Sequence, residues 1–368
     1  MSLPPISVTM KDVAERAGVT QATVSMSLAN HPRISPETRK RIQLLAKEMG
    51  YRTNPYIAAL MRGRRRRKTV LNRPVLALVN ALEGVHAWKD SPAVTVRQMR
   101  LGALARAEER GYEAREFWLH QDGMSAERFS GVLHNRGIEG VLLSPQRADE
   151  PPPSLRWERF AAVRLGVPLP GFTLASVCND HFFSSLQCVR ECYRLGYRRP
   201  GLVLLRQHRV RFSARWDGGL LAACHLLPAL RPAQTLEVEN WDDLADVESW
   251  IRSEGVDVVL SPSGDLVHSH LQSLGWKCPH DIGIASLACP ERDHWCSGIW
   301  QNGLLLGATA VDVLISMLER NDRGLPGQTP VTMVEGYWNP GQTLHGMDPS
   351  MKEAPRRRVR AKAKNGEP

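Results

Sequence analysis

The sequence predicts a small three-helix unit at the N-terminus followed by a much larger α/β body with parallel sheets. Short helices with capping residues and shared apolar positions fill residues 10–50, and from Pro74 onward short apolar runs alternate with amphipathic helices. Such alternation is typical of parallel sheets covered by helices. The charge is also uneven, because the basic residues of this 368-residue chain are concentrated at its two ends.

The first two helices are predicted between Thr9 and Leu28, with a tight turn between them. Thr9 can cap the first helix, and Gly18 ends it because glycine adopts the left-handed conformation that closes helices. Thr20 then caps a second helix whose inward side is Val24. The outward residues of this second helix are short and uncharged: Gln21, Ala22, Thr23 and Ser25. A helix kept for solubility would carry Glu and Lys there, whereas small hydrogen-bonding groups suit phosphates and base edges.

A third helix is predicted to start at Ser35, with Pro36 at its first position and Gly50 at its end. Its apolar stripe consists of Ile42, Leu45, Ala46 and Met49. Three short helices around one small core, two of them arranged as a helix-turn-helix, indicate a unit that docks into DNA.

Several segments of the body carry the strand and helix patterns. Buried strands are predicted over Pro74–Asn80, Glu139–Pro145, Gly201–Leu205 and Val256–Leu260. Helices are predicted over Arg97–Gly111, Phe183–Leu195, Gly218–Leu226 and Leu244–Ser253. The strands are short apolar runs without alternation, which favours sheets buried on both faces.

The pattern D-V-A-x-x-A-G-V-T-x-x-T-V-S, from Asp12 to Ser25, resembles the headpiece of the lactose-repressor (LacI/GalR) family of bacterial transcription regulators. The resemblance continues through residues 35–54 and, more faintly, to about residue 345. It implies a helix-turn-helix headpiece, a hinge helix and a periplasmic-binding-protein-like α/β body of two parallel-sheet subdomains. It also implies a homodimer that binds a double-stranded DNA operator and is controlled allosterically by a small-molecule effector, with a sugar or a sugar derivative as one candidate.

We therefore expect four segments: a DNA-binding headpiece over 1–53, a hinge helix and basic linker over 54–73, an effector-binding and dimerisation body over 74–345, and a basic disordered tail over 346–368. Residues 1–73 contain 15 Lys+Arg against 4 Asp+Glu, whereas residues 74–345 contain 26 against 31. A basic head beside a mildly acidic body suggests a polyanion-binding module attached to a sensor.

The hinge segment matches the family pattern only in part. Tyr51 and Asn54 are kept, and Leu60 falls where the family inserts a leucine into the minor groove as an apolar wedge. Thr53 replaces the usual proline and Ile57 the usual alanine. The alternative is a plain linker with a buried leucine.

The resemblance assigns base contacts to Gln21, Ala22 and Met26. A glutamine can pair with adenine through two hydrogen bonds, and Ala and Met offer apolar contact to a thymine methyl group. The residues matched to phosphate contacts are Thr20, Thr23, Ser25, Arg33 and Thr38. Met26 stands where family members commonly carry Arg or His. The operator sequences preferred by other members therefore cannot be assigned to this chain. The alternative is that Met26 belongs to the headpiece core.

The resemblance also matches five residues of the body to the effector cleft: Arg215, Asp265, Trp300, Gln301 and Asp180. Two have structural alternatives, because an aspartate that opens a helix usually caps it and a tryptophan is usually core. The asparagine before the family's cleft aspartate is glycine here, and the later G-Y-D motif is replaced by S-L-A. The sugar effectors of other family members therefore cannot be assigned directly to this chain.

The seven cysteines form no C-x-x-C pair, which favours reduced thiols in a cytoplasm. Cys188 and Cys192 could admit a metal, but buried structural thiols are the simpler interpretation, and we expect no cofactor and no metal. No apolar run of transmembrane length and no N-terminal signal region is present. The sequence therefore predicts a cytoplasmic, nucleoid-associated protein without a membrane partner.

Two other functions compete with a ligand-controlled repressor. One is a ligand-independent DNA-binding regulator with a degenerate cleft, since typical polar groups of the cleft are replaced. The other is an enzyme that acts on a sugar or nucleotide, but the sequence contains no P-loop, no G-x-G-x-x-G after a strand and no G-x-S-x-G elbow. We therefore expect a regulator and not an enzyme.

Overall fold

The computed structural model describes residues 10–28, 33–49, 73–121, 123–146 and 151–346. The N-terminal unit contains α1 (Met10–Ala17), α2 (Gln21–Leu28) and α3 (Pro36–Glu48). The predicted turn is confirmed, since Gly18 has a φ of +66°. Both predicted caps that lie in the described residues also form: the Thr23 amide donates to Thr20 Oγ1 over 3.2 Å, and the Thr38 amide donates to Ser35 Oγ over 3.3 Å.

The headpiece has one small core shared by all three helices. Its buried members are Val13, Ala14, Val24, Ile42 and Ala46. A core of this size leaves the remaining faces of the helices in contact with solvent.

The body is built on two six-stranded sheets. The first lobe contains β1 (Val75–Asn80), β2 (Glu113–Trp118), β3 (Gly140–Leu143), β4 (Ala161–Leu165), β5 (Ala175–Asn179) and β11 (Val331–Val334). Their order is β11-β5-β4-β3-β1-β2, and every pair of neighbours is parallel. The helices of this lobe are α4 (Val94–Glu109), α5 (Ala126–Asn135) and α11 (Gly303–Arg320), and a 3₁₀ turn covers Trp157–Arg159.

The second lobe contains β6 (Pro200–Leu205), β7 (Leu236–Val238), β8 (Val258–Ser261), β9 (Gly283–Cys289), β10 (Gly298–Trp300) and β12 (Tyr337–Asn339), in the order β12-β10-β9-β8-β6-β7. Its helices are α6 (His181–Arg194), α7 (Arg206–Arg211), α8 (Arg215–Leu226), α9 (Asp246–Glu254) and α10 (Gly264–Ser273). The four strands predicted as apolar runs, β1, β3, β6 and β8, are almost entirely buried, whereas the edge strands β2, β7, β11 and β12 are more exposed.

The predicted parallel sheets are confirmed, with one exception at an edge, where β12 pairs antiparallel with β10. The chain enters β12 from the end of β11, at the side where β10 finishes. A strand that begins where its neighbour ends must run in the opposite direction. An antiparallel edge strand on an otherwise parallel sheet is common.

Three chain segments cross between the lobes: from β5 to α6, from β10 to α11, and from β11 to β12. Two of the crossings are tied together, since Asn179 Nδ2 donates to the Gln301 carbonyl oxygen over 2.8 Å. Because all three leave from the carboxyl ends of strands, those ends of both sheets meet at one interface. Ligands of open α/β sheets bind at such carboxyl ends.

Glycines let α4 and α11 approach closely in the first lobe. A Cβ atom on Gly307 would lie 1.9 Å from the Met99 carbonyl oxygen, and one on Gly102 would lie 2.0 Å from that of Leu304. The same device recurs between α6 and α8, where a Cβ on Gly219 would lie 2.3 Å from the Phe182 carbonyl oxygen. Any larger residue at these positions must push the helix backbones apart.

Candidate DNA-binding surface and effector cleft

The first turn of α2 presents the predicted base-reading side chains. Gln21 and Ala22 are exposed, whereas Val24 is fully buried in the headpiece core. Thr20 and Thr23 are joined through their hydroxyl groups over 2.9 Å. The polar end of α2 is therefore held in place by its cap while its outer residues remain available to a partner.

Met26 is half-buried and does not belong to the described core of the headpiece. This placement favours a surface role over the core alternative. Of the predicted phosphate contacts, Arg33 is exposed and Ser25 is half-buried. Thr38 Oγ1 accepts a hydrogen bond from Ser35 Oγ over 2.8 Å. The remaining predicted contacts, Asn54 and Leu60, lie outside the described residues. Most of the hinge segment and the C-terminal tail also lie outside them. The hinge helix and the boundaries of the four segments therefore stay predictions.

Arg215 is the predicted effector residue that reaches across the lobes. It opens α8 in the second lobe, and its Nη1 atom lies 3.3 Å from the sulfur of Met333, on β11 of the first lobe. A thioether is a weak acceptor. The guanidinium is therefore placed between the lobes, where the predicted cleft opens.

The other four predicted effector residues are placed in different ways. Asp180 Oδ1 accepts from the Phe183 amide over 2.9 Å, so this carboxylate caps α6. Gln301 is buried, and its Nε2 donates to the Leu287 carbonyl oxygen over 3.0 Å. Asp265 is exposed in the first turn of α10. Trp300 is half-buried at the carboxyl end of β10, and its Nε1 atom is buried with no acceptor in the described part of the chain.

Sequence reasoning missed an aromatic cluster beside Arg215. The ring of Phe212 lies 4.5 Å from that of His181 and 4.7 Å from that of Trp216, and the His208 ring lies 5.7 Å from that of Trp216. Burial lowers the pKa of His181 to about 3, with repulsion from Arg215 and Arg211 as further causes. Burial and Arg211 likewise lower the pKa of His208 to about 4. Both imidazoles are therefore neutral in the folded protein at physiological pH.

The sequence reasoning also missed Arg164. It lies on β4 among apolar neighbours and is 1% exposed. Its Nη1 atom donates to the Val167 carbonyl oxygen. Burial lowers the pKa of Arg164 to about 10, and repulsion from Arg211 adds to the shift. The signal in the sequence was a single arginine inside the apolar run A-A-V-R-L.

The thiols of Cys188 and Cys192 are buried on α6 and belong to the apolar core of the second lobe. The pKa of Cys188 is raised by its contact with Cys192 and by burial, which keeps the thiol protonated. Among the described residues, no group of three or more His, Cys, Asp or Glu side chains could hold a metal ion. Nor do the described helices include one that is long and apolar enough to cross a membrane.

A cavity of about 290 Å³ lies at the other end of the second sheet, near the amino ends of β8 and β9. Tyr197, Asp257, His280 and His345 contribute to its lining. Its position, opposite the lobe crossings, separates it from the predicted effector cleft.

Comparison with known proteins gives matches along most of the chain. Residues 9–54 match the model of bacterial regulatory proteins of the lacI family. The chain is 28% identical over 225 residues to the transcriptional regulator CelR of Thermobifida fusca, which covers 58% of this chain and 62% of that protein. It is 25% identical over 306 residues to the repressor CytR of Escherichia coli K12, which covers 78% of this chain and 82% of CytR. It is also 24% identical over 336 residues to the regulator KdgR of Bacillus subtilis, which covers 86% of this chain and 93% of KdgR.

Solved structures with the same fold include the CelR–cellobiose complex, with a TM-score of 0.57 and 21% identity over 91% of this chain and 99% of that one. The lac repressor dimer bound to operator and the anti-inducer ONPF has a TM-score of 0.50 and 18% identity over 92% and 99%. These likenesses confirm the predicted headpiece followed by a two-lobed α/β body. The headpiece segment over residues 9–54 therefore matches the lacI family of bacterial regulatory proteins, and the body shares its fold with these solved structures.

Proposed function

We propose that the protein is a sequence-specific DNA-binding transcriptional regulator of the repressor type, controlled by a small molecule that binds between the two lobes. The observation that carries this proposal is the outer face of α2. That face is uncharged and exposed at Gln21 and Ala22 within the segment that matches the family's headpiece. The matched relatives are themselves transcriptional regulators, which supports a regulatory role over an enzymatic one.

In this proposal α2 enters the major groove. Gln21 pairs with a base edge, Ala22 and Met26 make apolar contacts, and the hydroxyl groups around the two helix caps face phosphates. Arg33 supplies a cationic phosphate contact. Such contacts set the position of the headpiece on the duplex, whereas Gln21 supplies sequence discrimination.

A homodimer would place two headpieces on a two-fold symmetric operator. One face of α8 suits a partner copy, because Leu221 is 62% exposed and Leu226 is 54% exposed. His225 is also exposed on this side of the helix, whereas Ala222 is half-buried and packs against the core of the second lobe. An apolar stripe of this kind on the surface usually marks a contact with another chain.

Control by a ligand follows from the lobe arrangement. A molecule bound at the crossings touches both lobes, so its affinity depends on how the lobes are oriented. A ligand that prefers one orientation shifts the population of the DNA-competent state, whereas equal affinity for both would have no effect.

The test is selection of DNA fragments by the purified full-length chain from a randomised pool and from fragmented genomic DNA. We expect enrichment of one two-fold symmetric sequence, bound more tightly than random DNA by a factor of roughly 10³ or more. Equal binding to every fragment, with the same salt dependence, would contradict a sequence-specific regulator and leave only a non-specific polyanion binder.

A further inference from the structure

Three arginines, one from the first lobe and two from the second, form a group of nearby positive charges. Arg164 comes from β4 of the first lobe, Arg211 ends α7, and Arg215 begins α8 of the second lobe. The guanidinium of Arg211 lies 5.4 Å from the centre of the Phe212 ring, and the same ring contacts His181 at 4.5 Å. The positive charge of Arg211 lowers the pKa of both Arg164 and His181, and the charge of Arg215 also lowers the pKa of His181. The three charges therefore belong to one cluster.

The charge of Arg164 is not balanced. It forms no ion pair with any acidic residue in the described ranges, although several exposed arginines of the body do so. Asp180 lies on the same side, near Cys178, but its carboxylate caps α6. A buried arginine without an anion is costly, because desolvation is not repaid by attraction. Arg164 is thus a buried cation whose charge an anionic ligand would balance.

The same region has more hydrogen-bond donors than acceptors. The Nε atom of Arg164 and the indole Nε1 atoms of Trp216 and Trp300 are buried without a partner among the described residues. Each of these groups can only donate. Buried donors are nearly always satisfied in folded proteins, and the acceptor oxygens of a ligand would satisfy these three.

The backbone that carries two of the arginines is held in a strained form. Ser213 and Ala214, between Arg211 and Arg215, both have a φ of +50°. Residues other than glycine rarely adopt this left-handed region, because their Cβ atom comes too close to the backbone. Strain of this kind is typical of binding sites, where it fixes the direction of functional side chains.

We propose that the effector of this protein is a small organic anion, whose carboxylate or phosphate group is bound by Arg164 together with Arg211 and Arg215. The remaining oxygens of the ligand accept from the indole N–H groups of Trp216 and Trp300. This inference rests on the proposed ligand-controlled function and specifies its ligand class. A carboxylate and a phosphate share the required chemistry, because both accept paired hydrogen bonds from a guanidinium.

Matched ligand pairs test the proposal on the full-length chain by thermal unfolding. The probes are glucose and glucose 6-phosphate for the phosphate, glucose and gluconate for the carboxylate, and potassium chloride at equal ionic strength as the salt control. We expect at least one anion to raise Tm by about 2 °C or more at saturating concentration, with no change from glucose or from the salt. The probe pair in which the anion raises Tm and glucose does not identifies phosphate or carboxylate as the anionic group.

Substitution of the buried arginine separates a binding role from a structural one. In Arg164→Met we expect the Tm of the apo protein to stay level or rise, because an unpaired buried charge is removed, while the affinity for the responding anion falls at least about tenfold. If this variant does not fold, Arg215→Gln gives the same loss of affinity. The matched control is Arg206→Gln on α7, whose side chain is exposed and paired with Glu239 over 2.9 Å; it should keep the full response.

The outcomes distinguish this inference from the proposed function. Stabilisation by glucose alone, or an anion response that survives both Arg164→Met and Arg215→Gln, overturns the anionic effector while a ligand-controlled regulator stands. A panel without any shift overturns the anionic effector too, and selective DNA binding would then indicate a ligand-independent regulator. Loss of selective DNA binding, with an anion response intact, would instead refute the regulatory function.

Discussion

At the scale of single residues, Gln21 offers the clearest test of base recognition. In Gln21→Ala we expect operator affinity to fall by about 1–3 kcal/mol and discrimination to relax at one base pair, because the paired hydrogen bonds to a base edge are lost. Dissociation constants on the operator and on its single-base variants measure both effects.

The control for Gln21 is another glutamine of the headpiece. Gln43 Nε2 donates to the Ser27 carbonyl oxygen over 2.9 Å and so has a structural role. Gln43→Ala should lower headpiece stability but leave the ratio of operator to random-DNA affinity unchanged. If Gln21→Ala weakened binding equally on operator and random DNA, Gln21 would be only a backbone contact.

His181 predicts a pH dependence of stability. Its pKa is about 3 in the folded protein, mainly through burial, against about 6.5 for an exposed histidine. Between these values the unfolded chain binds a proton that the folded chain does not, so the free energy of unfolding falls as the pH drops below about 6.5. In His181→Phe this decline should flatten between pH 6.5 and 5, as measured by denaturant titrations without ligand. An unchanged slope would mean that His181 is protonated in the folded state.

The sequence was a good guide at residues with local roles and a poor one at residues with distant partners. Thr20, Ser35 and Gly18 act on their own helices, so spacing alone predicted them. Arg164 could not be assigned a site, because the positive charge that acts on it comes from Arg211 at the end of α7, which follows the next crossing in the chain. Asp180 was matched to the effector, but its position at a helix start already offered the capping role that the structure shows.

At the scale of elements, the contact between α4 and α11 depends on glycine. Gly307→Ala places a methyl group within 1.9 Å of the Met99 carbonyl oxygen, so the helices must separate. We expect a loss of about 1–3 kcal/mol in the free energy of unfolding, as for other overpacked cores. Gly131→Ala is the control, since a Cβ there meets nothing within 4 Å on α5. That variant should gain about 0.5–1 kcal/mol from helix propensity. Equal changes in the free energy of unfolding for the two substitutions would show that helix propensity, and not close packing, determines the effect of Gly307→Ala.

The ends of helices and strands could be predicted only where the sequence carries a capping or turn residue. The helix predicted from Gly218 begins at Arg215 in the structure. Its first position is preceded by Ala214, which has no side chain that can cap. The direction of β12 was equally hidden, because it depends on where the chain crosses between lobes and not on the residues Tyr337–Asn339 themselves.

At the scale of the whole molecule, the exposed face of α8 predicts self-association. Leu221→Glu should convert the dimer to a monomer and weaken operator binding at least about tenfold, because a charge is placed in an apolar contact and the two headpieces are no longer linked. Sedimentation velocity and operator titration measure the two effects. Leu266→Glu, an exposed leucine on α10, serves as the control. A dimer that persists in Leu221→Glu would place the interface elsewhere.

The three crossings also govern the order in which the chain can fold as it leaves the ribosome. The core of the first lobe needs Leu306, Val311 and Leu314 of α11, which are added only after the second lobe up to Trp300 has been synthesised. The headpiece core is complete at Ala46. Domains generally fold as they emerge. A growing chain can therefore carry a folded DNA-reading unit well before either lobe is finished, so nascent protein should be able to bind DNA before it can respond to its ligand.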